Sequence, residues 1–249
     1  MSRLCVTEGR RLQHTVRRIT PHAVAFDAFP SWLCVELREE LVAYRARLER
    51  AAAARPPNSM NRYGTVIRTG RLRHNLERYI RKVLNPIAKE HFAEFGGGSL
   101  EFSHGFTVHY GPGEDAHLDM HTDDSHVTFN VCIGEAFVGG ALAFCGMQND
   151  SDGHRRLQYV HPHTVGTAVM HPGGLRHGAL PVADGRRVNI ILWMKSHAYT
   201  PPTQYIRSQA DPVCVSFTHD PDAREGDGVQ RFSTQTPVVP IREEVQKLK

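Results

Sequence analysis

The stretch Gly96-Gly97-Gly98-Ser-Leu-Glu-Phe102-Ser-His-Gly-Phe106-Thr-Val108-His-Tyr110 marks a change of period in this 249-residue chain. Before it, apolar residues recur at helical spacing. After it they alternate, as they do in strands that show one face to a core. Phe102, Phe106, Val108 and Tyr110 are expected on one face of an extended segment, and Val127, Phe129, Val131 and Ile133 on one face of the next.

Further short β-like runs follow at 141–145, 157–160, 167–171 and 187–194, separated by Gly, Pro and Asp. Many short strands at such spacing predict a sandwich or jelly roll. Upstream, Leu33, Leu37, Leu41, Tyr44 and Leu48 form a helical stripe. Leu72, Leu76, Tyr79, Ile80, Val83 and Leu84 form a second, which Pro86 kinks or ends. The turn-rich 56–61 segment, Pro-Pro-Asn-Ser-Met-Asn, reads as their connection.

The expected architecture is α+β: a double-stranded β-helix, jelly-roll and cupin-like, with N-terminal helices packed outside. Residues 1–98 read as a helical support region and 99–198 as the β domain. Residues 199–249 read as a loop-rich tail, being rich in Pro, Asp and Gly and nearly without periodicity.

Composition narrows the functional classes. At 40% hydrophobic and 22% charged residues the chain is globular in type. The run Ile190–Met194 is far too short to span a membrane, and the first eight residues lack the apolar stretch of a secretory signal. Cys5, Cys34, Cys132, Cys145 and Cys214 are odd in number and include no Cys-x-x-Cys pair, which argues against a disulfide scaffold or a thiolate zinc site. The expected location is intracellular, cytoplasmic or nuclear. Five arginines against one acid in the first 26 residues leave a mitochondrial presequence open. Residues 1–100 hold 18 Lys+Arg against 9 Asp+Glu, either a contact for nucleic acid or another acidic partner, or the solvated faces of helices.

The chemistry concentrates in His117-Leu-Asp119-Met-His121-Thr-Asp123-Asp124. A His-x-Asp pair in a strand offers an imidazole and a carboxylate to one metal, two thirds of the 2-His-1-carboxylate triad of non-haem Fe(II) oxygenases. With 16 His and 12 Asp, about one such pair is expected by chance. Two overlap here, His117/Asp119 and His121/Asp123, so the pair alone leaves the register open. The segment from His171 to Trp193 supplies a second histidine, His177, and a cation, Arg187, whose planar fork meets a carboxylate bidentately. An Ala183-Asp-Gly185 turn would fold the two back beside each other. Arg186 is the rival cation, but strand alternation puts it on the opposite face. Asn189, Ile191 and Trp193 share the face of Arg187.

Five ordered elements then resemble one family. They are His121-Thr-Asp123, the Thr128-Phe-Asn130-Val131 strand, Gly139-Gly140-Ala-Leu-Ala-Phe144, Gly166-Thr-Ala-Val-Met-His-Pro-Gly173, and His177 with Arg187 ten residues on. Together, over roughly residues 102–197, they resemble the prolyl 4-hydroxylase-type 2-oxoglutarate/Fe(II) dioxygenases, most of all the procollagen-lysine hydroxylase catalytic domain and its intracellular relatives. The resemblance selects His121/Asp123 over His117/Asp119. It implies Fe(II) on His121, Asp123 and His177, with Arg187 on the distal carboxylate of 2-oxoglutarate. It puts Tyr110 at a cosubstrate-binding position and faces Asn130 into the pocket, although a core aromatic and a satisfied core amide are the plainer readings of these two.

The implied activity is hydroxylation of a C–H bond, on a protein prolyl or lysyl side chain, with release of succinate and CO₂ and ascorbate (vitamin C) as an auxiliary reductant. A nucleic-acid demethylase of the alkyl-repair type shares the triad but expects a second Arg where Trp193 stands. A non-catalytic cupin-like binding module is the other alternative. His104, His109, His126, His154, His161, His163 and His171 lack thiolate partners or a His-Glu-x-x-His helix, and read as surface histidines or residues backing the site. No Gly-x-Ser-x-Gly occurs to support a serine nucleophile.

Overall fold

The computed structural model describes residues 15–150 and 155–200. The tail from residue 201, His154, Cys5 and Cys214 lie outside them. The strands are β1 (Arg17–Thr20), β2 (Ala23–Asp27), β3 (Gly64–Val66), β4 (Glu101–Tyr110), β5 (Leu118–His121), β6 (Val127–Cys132), β7 (Phe137–Gly139), β8 (Leu142–Met147), β9 (Tyr159–His161), β10 (Thr167–Pro172), β11 (Leu175–Ala179), β12 (Val182–Gly185) and β13 (Arg187–Lys195). The helices are α1 (Ser31–Arg50), α2 (Gly70–Tyr79) and α3 (Asn85–His91). A seven-stranded antiparallel sheet runs β1-β2-β10-β6-β13-β4-β3, and a four-stranded one runs β5-β11-β8-β9. This is the expected double-stranded β-helix with helices outside.

The large sheet is buried on both faces. Its outer face carries Val127, Phe129, Val131, Ile190 and Leu192 against Leu37 and Leu41 of α1 and Leu72 and Leu76 of α2. Its inner face carries Phe106, Val108, Tyr110 and Ile191 against Leu142, Phe144 and Leu175 of the small sheet. Residue alternation therefore sorts each central strand into an outward apolar set and an inward set that is free to carry chemistry.

Four features depart from the sequence reading. Residues 1–98 are not wholly helical, because β1, β2 and β3 extend both edges of the large sheet. The β2 run Ala-Val-Ala-Phe is buried on both sides, so it shows no alternation to read. Phe102 leaves the face of Phe106, Val108 and Tyr110. The β13–β4 register slips between Trp193 and Met194, which pair with His104 and Phe102, so a bulge at Ser103 turns Phe102 to the helical side. Pro86 does not end the helix: one π-helical turn at Ile80–Leu84 joins α2 to α3, which runs on past the proline.

The fourth concerns 183–185, which form no hairpin turn between His177 and Arg187. They belong to β12, which pairs with β7, and so carry the chain from the small sheet to the large one.

Phe129 tests the outer core. It is fully buried on β6, with Phe26, Phe29 and Tyr79 ring centroids at 6.2, 6.4 and 5.9 Å. Phe129→Ala should cost about 3–5 kcal/mol in urea unfolding, against under about 0.5 kcal/mol for exposed Val42→Ala.

Candidate metal centre and anion pocket

β5 and β11 pair so that His121 lies directly opposite His177. Their rings sit 4.4 Å apart, centroid to centroid. Asp123 follows β5 in a loop whose backbone N–H donates to Gly173 O at 2.9 Å. That approach needs the glycine, because a Cβ on Gly173 would lie 2.1 Å from the Ser125 carbonyl oxygen. His121 Nε2 is 3.4 Å from Asp123 Oδ1, and His177 Nε2 is 3.6 Å from Asp123 Oδ2. The ligand atoms of the three residues all lie within 4.8 Å of one another.

Backbone carbonyls set the tautomers. His121 Nδ1 donates to Asp119 O at 2.7 Å, and His177 Nδ1 donates to Leu175 O at 2.9 Å. A carbonyl only accepts, so both Nδ1 atoms carry the proton and both Nε2 atoms turn a lone pair toward Asp123. Thr128 Oγ1 donates to Asp123 Oδ2 at 2.6 Å, and Ser125 Oγ backs that hydroxyl at 2.8 Å. Burial opposes the charge on Asp123, but any proton that His177 or His121 carries on Nε2 favours the anion more, and the carboxyl stays well below the usual range. Burial, reinforced by His171, pushes the His177 imidazole far down. Two neutral imidazoles and one carboxylate make a donor set suited to a divalent cation with positions left open.

The same cavity is lined by Arg187, Tyr110 and Asn130. Arg187 is 1% exposed and lies over the Tyr110 ring at 5.2 Å. Its Nη1 is buried without a hydrogen-bond partner, and among the described residues no carboxylate pairs with it. Arg186 points the other way. It forks onto Glu114 at 2.7 and 2.9 Å and meets Glu135 at 3.0 Å, so its charge is spent. His117 and Asp119 stand apart from the triad, 3.5 Å from each other, the first half-buried and the second exposed. Asn130 Oδ1 accepts from Asn189, and the Tyr110 hydroxyl lies 3.3 Å from Asn61 Nδ2.

No protein-family model matches the chain. It is 36% identical over 177 residues to the 2-oxoglutarate and iron-dependent oxygenase domain-containing protein ICU11 of Arabidopsis thaliana, covering 70% of this chain and 44% of that protein. It is 34% identical over 173 residues to the human 2-oxoglutarate and iron-dependent oxygenase domain-containing protein 2, covering 69% and 46%. A solved 2OG-Fe(II) oxygenase family oxidoreductase from Burkholderia pseudomallei shares the fold, with a TM-score of 0.50 at 17% identity over 71% of this chain and 86% of that one. The chain belongs to the 2-oxoglutarate/Fe(II)-dependent oxygenases. It spans about half the length of the curated relatives it matches.

Two histidines that read as surface or backing residues back the site, and a segment that read as a connection reaches it. His171 is buried, its ring 4.2 Å from that of His177. His163 is buried against Arg187. The 56–61 segment is more than a connection: Asn58, Met60 and Asn61 form one wall of the cavity. Asp115 Oδ2 holds that wall in place, accepting from Asn61 Nδ2 at 3.2 Å and from the backbone N–H of Arg62 at 3.0 Å. Only distance along the chain concealed it, since β3 brings the segment back along β4.

Metal retention in equilibrium dialysis checks the register. His121→Ala, Asp123→Ala and His177→Ala should each lose the bound divalent ion, and His117→Ala should keep it as the unaltered protein does.

Proposed function

We propose that the chain hydroxylates a C–H bond on a protein side chain, prolyl or lysyl, with Fe(II) held by His121, Asp123 and His177. The observation that carries the cosubstrate reading is Arg187, buried in the same cavity as the triad with its Nη1 unpartnered. A buried cation without an anion is costly. A dicarboxylate chelated at the metal through its keto-acid end would bring its far carboxylate to that fork.

Bound Fe(II) and 2-oxoglutarate supply the O₂-activating chemistry, with succinate and CO₂ released. The protein's own contributions are separate from that step. Asp119 O and Leu175 O fix both imidazoles, Thr128 orients Asp123, and Arg187 anchors the cosubstrate. Phe106, Leu142, Ile191 and Trp193 line the cavity with apolar surface and exclude water. Trp193 packs edge-on to Phe106 at 5.2 Å, so the wall is aromatic where the alkyl-repair pattern has a cation. Arg71, Arg78 and Arg81 are exposed on α2 and the π-helical turn after it, which pack on the outer face of the large sheet. Both features favour a protein target over a nucleic acid.

Arg187→Ala should raise the apparent 2-oxoglutarate constant about tenfold to a hundredfold, as loss of a charge-assisted pair does, with the metal retained. Arg187→Lys should recover part of this, and Arg186→Ala should leave the constant near its starting value. Succinate release against 2-oxoglutarate concentration reads these effects. Mass spectrometry of extract incubated with the protein, Fe(II) and 2-oxoglutarate should find one added oxygen on peptides. Added oxygen on nucleosides alone would overturn the assignment of a protein target.

A further inference from the structure

Every group that holds Arg187 in place is neutral. Its Nε donates to Asn189 Oδ1 at 3.1 Å, and its Nη2 donates to His163 Nδ1 at 3.2 Å. On the far side of the imidazole, His163 Nε2 donates to Thr167 O at 3.0 Å. Because the carbonyl only accepts, the proton of His163 is on Nε2 and the Nδ1 lone pair is left for the guanidinium. Asn189 Nδ2 lies 3.3 Å from the same Nδ1 and donates to Asn130 Oδ1 at 2.5 Å. The three side chains and the Thr167 carbonyl thus form a closed neutral cradle, with His163 3% exposed and Asn189 fully buried. Burial first, and then the charge of Arg187, push the imidazole far below its usual range, so it stays an acceptor.

The opposite flank is as closely set. Gly140 has φ +61°, and a Cβ there would lie 3.1 Å from Arg187 Cδ. With Nε and Nη2 tethered and the side chain packed against Gly140, the guanidinium is held in one orientation and Nη1 is left without an acceptor. A carboxylate in the position of His163 would hold the fork equally well. It would also neutralise the charge that an incoming anion needs.

We infer that His163 is a positioning residue: acting through Arg187, its Nδ1 aims an uncompensated guanidinium at the distal carboxylate of a dicarboxylate cosubstrate. The inference rests on the cosubstrate reading proposed above. It adds that selectivity for a five-carbon dicarboxylate depends on a neutral acceptor behind the cation.

Calorimetric titration of the Ni(II)-loaded protein, which does not turn over, tests it with two probes. One is 2-oxoglutarate. The other is oxalate, which chelates the metal and has no distal carboxylate. His163→Phe should weaken 2-oxoglutarate binding by about tenfold, the loss of one charge-assisted hydrogen bond, and leave oxalate and Ni(II) affinity unchanged. His163→Asn, whose amide oxygen can stand in for Nδ1, should stay within about threefold of the starting affinity. His163→Asp, of the same shape but anionic, should bind 2-oxoglutarate at least about tenfold more weakly than His163→Asn. That last comparison decides the matter even if His163→Phe fails to fold. Equal affinities of the Asn and Asp variants, or an equal loss for both probes, would overturn the role of His163. Should Arg187→Ala bind 2-oxoglutarate as tightly as the unaltered protein does, the cosubstrate reading itself would fall.

Discussion

The antiparallel pairing of β5 with β11 sets His121 against His177, and the rest of the site is arranged around that pair. Two imidazoles 4.4 Å apart would hold no cation if either were protonated on both nitrogens. Carbonyl oxygens accept from both Nδ1 atoms, which leaves the two Nε2 atoms for the ion, and burial disfavours a second proton on His177. Asp123 then supplies the one negative charge, with Thr128 behind it. The outcome is a donor set formed by the fold before any ion arrives.

A second constraint is the sorting of faces on β6 and β13. Each lies in the middle of the large sheet, and each is buried on both sides. Val127, Phe129 and Val131 point into the helical layer, while Thr128 and Asn130 point into the cavity. On β13, Val188 and Ile190 face outward and Arg187, Ile191 and Trp193 face the cavity. A one-residue slip of either strand would exchange stability for chemistry along its whole length. The helices of the N-terminal half contribute here without touching the site: they hold the outer face and so fix which residues face inward.

The two charged features of the cavity are handled in opposite ways. Asp123 is surrounded by groups that stabilise its anion, and it forms part of a nearly self-sufficient cluster. Arg187 is held by an amide, an imidazole and an aromatic face, none of which cancels its charge. Burying a guanidinium in this way lowers its proton affinity and stability together. Such a cost is what an anion-binding site retains when the missing partner is a ligand. The half-buried neighbour Arg186 shows the contrast, since its ion pairs with Glu114 and Glu135 leave nothing for a ligand.

Local order along the chain was enough to specify much of this. The change from a 3.6 to a 2.0 period near Gly98 predicted a β core with helices outside. The family resemblance of five ordered motifs named His121, Asp123, His177 and Arg187, which line one cavity, and alternation separated Arg187 from Arg186, because in a strand the face depends only on parity. Tertiary structure alone decided the rest. His163 and the 56–61 segment have no motif, and they reach the site because β9, β10 and β3 return beside it. The bulge that turns Phe102 outward depends on register with β13, which no single strand encodes. His177 and Arg187 face each other from different sheets rather than across a hairpin, because β12 finds its partner in β7, more than forty residues earlier in the chain. Pairing between distant segments is chosen by the packing of the whole, so the sequence of either partner could not reveal it.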